Sequence, residues 1–154
     1  MLTVFQRVTA LLDRHGAAYE VLEHAPVYTS EEAAQVRGTT LSSGAKALVC
    51  KADDQFVMFV MPADRKLDSK LARKAQGIKG LRFASREEVL KLTGLTPGSI
   101  PPFGQLFSLP TWCDAALASE PRINFNAGDH AKSISIAYHE WQRVEEPKIA
   151  TLTS

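Results

Sequence analysis

Two apolar runs, Ala45-Lys46-Ala47-Leu48-Val49-Cys50 and Phe56-Val57-Met58-Phe59-Val60-Met61, flank the turn-forming pair Asp53-Asp54. Each run is too short for a good helix, and Pro62 closes the second. Side chains alternate faces along a strand, so strands apolar at nearly every position must be covered on both sides. The two runs therefore predict a buried, paired hairpin with other elements layered on each face. Lys46 interrupts this pattern. On a strand beginning near Ala45, it shares a face with Leu48 and Cys50, opposite Ala45, Ala47 and Val49. An ammonium aimed into apolar surroundings is costly unless it meets an anion or loses its proton. The alternative is that Lys46 lies at the strand edge and snorkels to water.

At 154 residues, with 45% hydrophobic and 23% charged residues, the chain is expected to form one domain with a proper core. The domain is expected over residues 1–146, with a loose tail over 147–154. A net charge of +1 gives no global field of the kind that advertises a nucleic-acid partner, and DNA is not expected. Any basic surface must be local. Cys50 and Cys113 stand in apolar contexts and form no CxxC pair, which argues for buried, inert thiols rather than a disulfide scaffold or zinc site. No run approaches a membrane span, and residues 1–7 lack the layout of a signal peptide. Together with the free thiols, this predicts a cytoplasmic protein with no membrane partner.

Three capping boxes punctuate the chain. Thr3 to Gln6 opens an amphipathic helix carrying Val4, Phe5, Val8, Leu11 and Leu12; Thr29 to Glu32 and Ser85 to Glu88 open two more. Asp68 caps a helix through Gln76, closed by Gly77. Strands are expected at Tyr19 to Glu23, Leu81 to Phe83, Leu106 to Leu109, Thr111 to Cys113, Arg122 to Phe125 and Ser133 to Ile136. A last helix is expected from Tyr138 to Val144. Helices and strands do not alternate regularly, so the fold class is α+β, a mixed, barrel-like sheet flanked by short helices.

The common catalytic motifs fail. Gly44-Ala45-Lys46-Ala47 has neither the glycine–lysine adjacency nor the following hydroxyl of a phosphate-binding loop. His24, His130 and His139 lack metal-site spacing, no G-x-S-x-G elbow occurs, and Cys113 has no local activating base. What remains is a lysine in an apolar strand, the stiff loop Gly98-Ser99-Ile100-Pro101-Pro102, and the turn Asn126-Ala127-Gly128. Rigid backbone donors can stabilise a developing oxyanion, and a lysine supplies a point charge for a carbonyl or phosphate. Either stretch, taken alone, also reads as a plain surface connection.

In chain order, His24 to Ala34, Gly44 to Val49, Met61 to Asp68, Ala84 to Glu88, Gly98 to Gly104 and Phe125 to Gly128 resemble the YbaK family of prolyl-tRNA-synthetase-associated editing domains. The resemblance runs from about His24 to Ile136. It implies a free-standing, trans-acting hydrolase that cleaves the ester of mischarged aminoacyl-tRNA. It also implies Lys46 as the functional lysine, and Gly98, Ser99, Ile100, Pro101 and Pro102 as the loop around the aminoacyl group. Asn126, Ala127 and Gly128 would form another wall. No metal, cofactor or covalent intermediate is implied; water attacks the ester. One departure is Ala47, at a position often polar in the family, which bears on amino-acid specificity.

From Arg65 to Arg82 the chain carries Arg65, Lys66, Lys70, Arg73, Lys74, Lys79 and Arg82 against the single acid Asp68. This is the local footprint expected for tRNA phosphate contacts, although a solvated helix face would look the same. Two rival functions stay open. One is a non-catalytic module that keeps the fold to hold tRNA or a synthetase, and the other is a small metal-dependent hydrolase using the histidines. The amino acid, the tRNA and the need for a synthetase partner are not legible.

Overall fold

A computed structural model describes residues 1–154. The hairpin forms as expected: β2 (Ala45–Ala52) pairs antiparallel with β3 (Gln55–Pro62), Lys46 opposite Met61. This pair is the centre of a five-stranded mixed sheet. β4 (Leu81–Phe83) adds beside β2, and β5 (Thr111–Asp114) adds parallel to β3. β8 (Lys148–Ala150) forms the far edge beside β5. The alternation of the hairpin sorts its side chains into two clusters. Val49, Met58 and Val60 face the larger core, while Cys50, Val57, Phe59 and Met61 face a smaller one with Ala72 and Leu152. Burial on both faces is why the runs have no polar stripe.

A second, antiparallel sheet has the order β1 (Tyr19–Glu23), β7 (Lys132–Ala137), β6 (Arg122–Asn126). The two sheets do not close into a barrel. They meet along a short seam, where Gly44 bridges Asn124 and the Asn124 amide donates to the Ser43 carbonyl at 2.9 Å. The Asn124 side chain repeats the link, donating to Ser43 Oγ at 3.1 Å. A Cβ on Gly44 would lie 3.1 Å from Ala63 Cβ and 3.2 Å from the Leu41 carbonyl, so the approach suits a residue without one.

All three capping boxes form, at the starts of α1 (Val4–Arg14), α2 (Ser30–Arg37) and α4 (Arg86–Thr93). Asp68 caps α3 (Ser69–Gln76), and α5 (Tyr138–Glu145) follows β7 directly. The single-domain α+β class is as expected.

Two local expectations fail. Leu106 to Leu109 is not a strand; Gly104–Phe107 is a 3-10 turn ended by Ser108 at φ 58°. No strand lies alongside to accept pairing. The turn satisfies itself instead, with the Leu109 amide on the Gly104 carbonyl and the Gly104 amide on Thr111 Oγ1. The Thr111 hydroxyl then donates to buried Glu145 at 2.6 Å. The tail after Pro147 is not loose. β8 pairs with β5, and Leu152 and Thr153 are buried.

The tail is held by Asp114, itself buried. Its carboxylate accepts from the amides of Leu152 (2.8 Å), Thr153 (3.1 Å) and Ala116 (3.2 Å), and from Thr153 Oγ1 (3.0 Å). The tail in turn holds the loop before α3, through Asp68 N to the Leu152 carbonyl and Arg65 Nη1 to Thr153 Oγ1. Asp114→Ala strands these buried donors. We expect it to cost about 3 kcal/mol in urea unfolding and to speed hydrogen exchange at Leu152 and Thr153. Unchanged exchange there would show that β8 pairing alone secures the tail.

Candidate active site

A cavity of about 210 Å³ lies at the seam between the sheets, roofed by α2. Its apolar wall is built from small side chains, chiefly Ala33, Ala34, Ala45, Ala47 and Ala63, with Leu41 and Ile100 the larger members. Its polar groups are Ser30, Arg37, Lys46, Asn124 and Asn126. The volume is below the roughly 300–1,000 Å³ of sites that enclose drug-sized ligands. It suits a small group rather than a whole nucleotide.

Lys46 enters from the first residues of β2, half-buried, with no hydrogen bond to the protein and no carboxylate within ion-pair distance; the two ion pairs of the molecule join Arg82 to Glu88 and Arg143 to Glu140. Burial lowers its pKa first and the nearby Lys66 charge lowers it further, while Glu31 and Asp64 act weakly the other way. Lys46 is therefore a charged group without a partner, in a pocket whose other charged residue, Arg37, is also a cation.

Arg37, in the last turn of α2, was not legible as a site residue. Burial pushes its pKa down to about 10. It donates from Nε to Ser133 Oγ (2.8 Å) and from Nη2 to Asn126 Oδ1 (2.9 Å), both neutral acceptors. Its Nη1 donates to no protein group. Only the tertiary fold, which brings Ser133 and Asn126 beneath α2, distinguishes this arginine from an ordinary basic residue at a helix C-terminus.

The Gly98–Pro102 loop divides in role. Gly98 and Ile100 line the cavity, and neither of their amides donates to another group of the protein. Ser99 is buried behind them, its hydroxyl on the Thr96 carbonyl and its own carbonyl accepting from the Gly128 amide at 2.8 Å. Pro101 is buried too, and the Pro102 carbonyl receives the Trp141 indole at 2.9 Å. The loop is thus bolted to the core from behind, leaving its front amides free.

The later turn divides similarly. Asn126 reaches the cavity and clamps the loop, donating from Nδ2 to the Gly98 carbonyl at 2.7 Å. Ala127 is fully buried in the core, and Gly128 faces α1 rather than the cavity. The histidines serve the frame. Nδ1 of His130 bonds the Val27 carbonyl, which fixes the proton there, and Nε2 meets Thr96 Oγ1. His24 likewise spans the Ala25 carbonyl and Ser133 Oγ. His139 is exposed elsewhere, and no three His, Cys, Asp or Glu side chains gather as metal ligands would. Burial pushes both cysteine thiols up to about 12, and neither lines the cavity.

The basic segment lies beside this site. Lys66, Lys70 and Lys74 are exposed and Lys66 is near enough to depress Lys46, while Arg73 is tied to the Ser69 carbonyl of its own helix and the Lys79 carbonyl beyond it. Arg65 is drawn to the tail, and Arg82 is taken by a two-pronged pair with Glu88.

A model of the aminoacyl-tRNA editing domain matches residues 24–144, which include every cavity-lining residue. The chain belongs to the aminoacyl-tRNA editing domain family. It is 38% identical over 151 residues to the multifunctional Ser/Thr-tRNA deacylase ProXp-y of Escherichia coli K12, covering 94% of this chain and 89% of that protein. It is 37% identical over 101 residues to a proline–tRNA ligase of Shouchella clausii, matching 66% of this chain but 18% of the ligase. Among solved structures, a candidate trans-editing enzyme for prolyl tRNA synthetase superposes with a TM-score of 0.88 at 27% identity, over 100% of this chain and 99% of that one.

Within this editing domain, Gly128 is read as a packing residue. It sits at φ 82°, and a Cβ there would lie 2.7 Å from Val4 Cγ1. Gly128→Ala should destabilise the protein by roughly 1–3 kcal/mol, from backbone strain and displacement of α1. Specific activity per folded molecule should stay near wild type. A stable variant with selectively lost activity would return Gly128 to the pocket wall.

Proposed function

We propose that the Lys46 cavity is where the aminoacyl ester is bound and hydrolysed. The protein is an aminoacyl-tRNA deacylase acting in trans on mischarged tRNA, as its family membership and its 38% identical relative support. The observation that carries the site assignment is that the unpaired Lys46 lines the same small cavity as Gly98 and Ile100, whose amides donate to no other group of the protein. The ester carbonyl sits between them. Water adds to its carbon, the developing oxyanion is held by the ammonium and the amides, and the bond to the ribose oxygen breaks. The products are the free amino acid and tRNA with its terminal hydroxyl restored. The cavity presents no cysteine or histidine as a nucleophile, so the catalytic contribution is positioning and electrostatics.

The alanine-rich wall favours small amino acids. Ser30 adds a hydroxyl at the roof, in keeping with a relative named for Ser- and Thr-tRNA. A deacylation screen with tRNAs charged with Ala, Ser, Thr, Cys and Pro tests this; no turnover of any would favour the binding module. Arg65, Lys66, Lys70, Arg73 and Lys74 are read as phosphate contacts, with Lys66 linking them to the pocket. A synthetase is read as a partner, on the support of the match between part of the chain and proline–tRNA ligases, and the protein is read as cytoplasmic. No helix is long and apolar enough to cross a membrane.

Lys46→Ala and Lys46→Met should each lower deacylation by roughly two orders of magnitude, about 2.7 kcal/mol, and Lys46→Arg should not restore it. The methionine variant should be at least as stable as wild type, because burial disfavours the ammonium it replaces. Wild-type turnover in Lys46→Met would remove Lys46 from the chemistry.

Arg73→Ala with Lys74→Ala should weaken binding across tRNA species and flatten its salt dependence by about two units of slope or less. Turnover at saturating tRNA should hold. Unchanged salt slope would make α3 an ordinary solvated helix.

A further inference from the structure

Arg37 lines the Lys46 cavity, yet the hydrolysis described above gives it no task. It is partly withdrawn from water and bonds only neutral groups, the Ser133 hydroxyl at 2.8 Å and Asn126 Oδ1 at 2.9 Å. A charge so placed is costly, and a neutral side chain would tie α2 to the sheet at less expense. What a guanidinium supplies, and a hydroxyl or amide does not, is a set of nitrogens that only donate.

The consequence falls on Asn126. Its side-chain amide bridges two groups: Oδ1 receives Arg37 Nη2, and Nδ2 donates to the Gly98 carbonyl at 2.7 Å. Half a turn about the last side-chain bond would exchange oxygen and nitrogen with little change of shape. The exchanged amide would set its NH2 against the guanidinium, donor to donor, and its oxygen against the Gly98 carbonyl, acceptor to acceptor. The Ser133 hydroxyl, 3.4 Å from Oδ1, does not decide between the two, because a hydroxyl both donates and accepts. Arg37 decides it. The Gly98 carbonyl accepts from no other group of the protein, and Gly98 stands at φ 95°, without a side chain to pack. The next carbonyl, that of Ser99, is already held by the Gly128 amide at 2.8 Å. The Asn126 bond therefore fixes the front of the loop, where the free Gly98 amide lies.

We propose that Arg37 is a positioning residue for ester hydrolysis: by donating to Asn126 Oδ1 it sets the sense of that amide, which in turn aims the Gly98 loop at the ester carbonyl. This rests on the assignment of the ester to the Lys46 cavity, and names the group that keeps its backbone donors in place. Arg37 itself touches no reacting atom. Its removal loosens donors that act on the developing oxyanion, so the loss falls on kcat rather than on KM.

The test is a double-mutant cycle in the whole protein, with Arg37→Met, Asn126→Ala and the two combined. It is read in deacylation kinetics per folded molecule, on the charged tRNA that the screen selects, and in backbone NMR. Arg37→Met should lower kcat about ten- to hundredfold, the effect of one lost hydrogen bond to a charged group, with KM little changed. Asn126→Ala should lose at least as much, and the combined variant no more than Asn126→Ala alone. Arg37→Lys, which keeps a charged donor, should recover part of kcat. The Gly98 and Ser99 signals should move alike in Arg37→Met and Asn126→Ala. Should Arg37→Met fail to fold, Arg37→Gln takes its place in the cycle. Losses that multiply in the combined variant would show Arg37 acting without Asn126. Wild-type kcat in a less stable Arg37→Met would make it a brace for α2, and unmoved Gly98 signals would sever the relay whatever the substrate. Each of these overturns the proposal. Loss of the ester-site assignment would appear instead as full turnover in Lys46→Met, so the two failures are distinguishable.

Discussion

The site depends on the contact between Ser43-Gly44 and Asn124. Two sheets that share no continuous ladder are joined there by a backbone bridge and duplicate hydrogen bonds from one asparagine. Gly44 permits the approach, and its carbonyl also receives the Ala63 amide at 2.8 Å. Because the strands diverge from this point, a gap opens on either side of it. One gap is floored by the start of β2 and becomes the Lys46 cavity; the other is floored by β7 and becomes a second cavity. A closed barrel would have filled both gaps with side chains.

The electrostatic character follows from what is missing around the two cations. Folding removes Lys46 and Arg37 partly from water, which lowers both pKa values, and supplies neither with a carboxylate. Such groups weaken the free protein and strengthen its grip on an anion or a developing oxyanion. Elsewhere the same fold spends its charges on structure. Asp114 holds the tail, and Glu88 caps α4 while pairing with Arg82, which holds its carboxyl well below the usual range, at about 2.

Much of the architecture was legible because it is locally encoded. Capping boxes announced three helices, and the doubly apolar runs announced the central hairpin. The failures were tertiary. Leu106 to Leu109 has strand-like composition, yet no partner strand stands beside it. The tail was expected to be loose because nothing in the sequence hints that Asp114 waits to receive its amides. Within the site, Lys46 stood out as polar in an apolar run, whereas Arg37 did not, since a basic residue ending a helix is ordinary. The Gly98 and Asn126 segments meet in the fold, through the bond from Asn126 to the Gly98 carbonyl. Which members face inward, and which brace the wall from behind, depended on packing.

Asn126 touches both the Gly98 loop and Arg37 of α2, so the wall and the roof of the Lys46 cavity are tied to one another. A chamber with tied walls accommodates little by flexing, and its capacity is read from the side chains that project into it. Five of those are alanines, two from α2, two from β2 and one from the loop after β3: Ala33, Ala34, Ala45, Ala47 and Ala63. Each is one substitution from adding a hydroxyl, a methyl or a branched chain to the same fixed frame. The lining therefore behaves as a set of independent spacers, by which related proteins can change the amino acid they accept without rebuilding the fold that holds the ester.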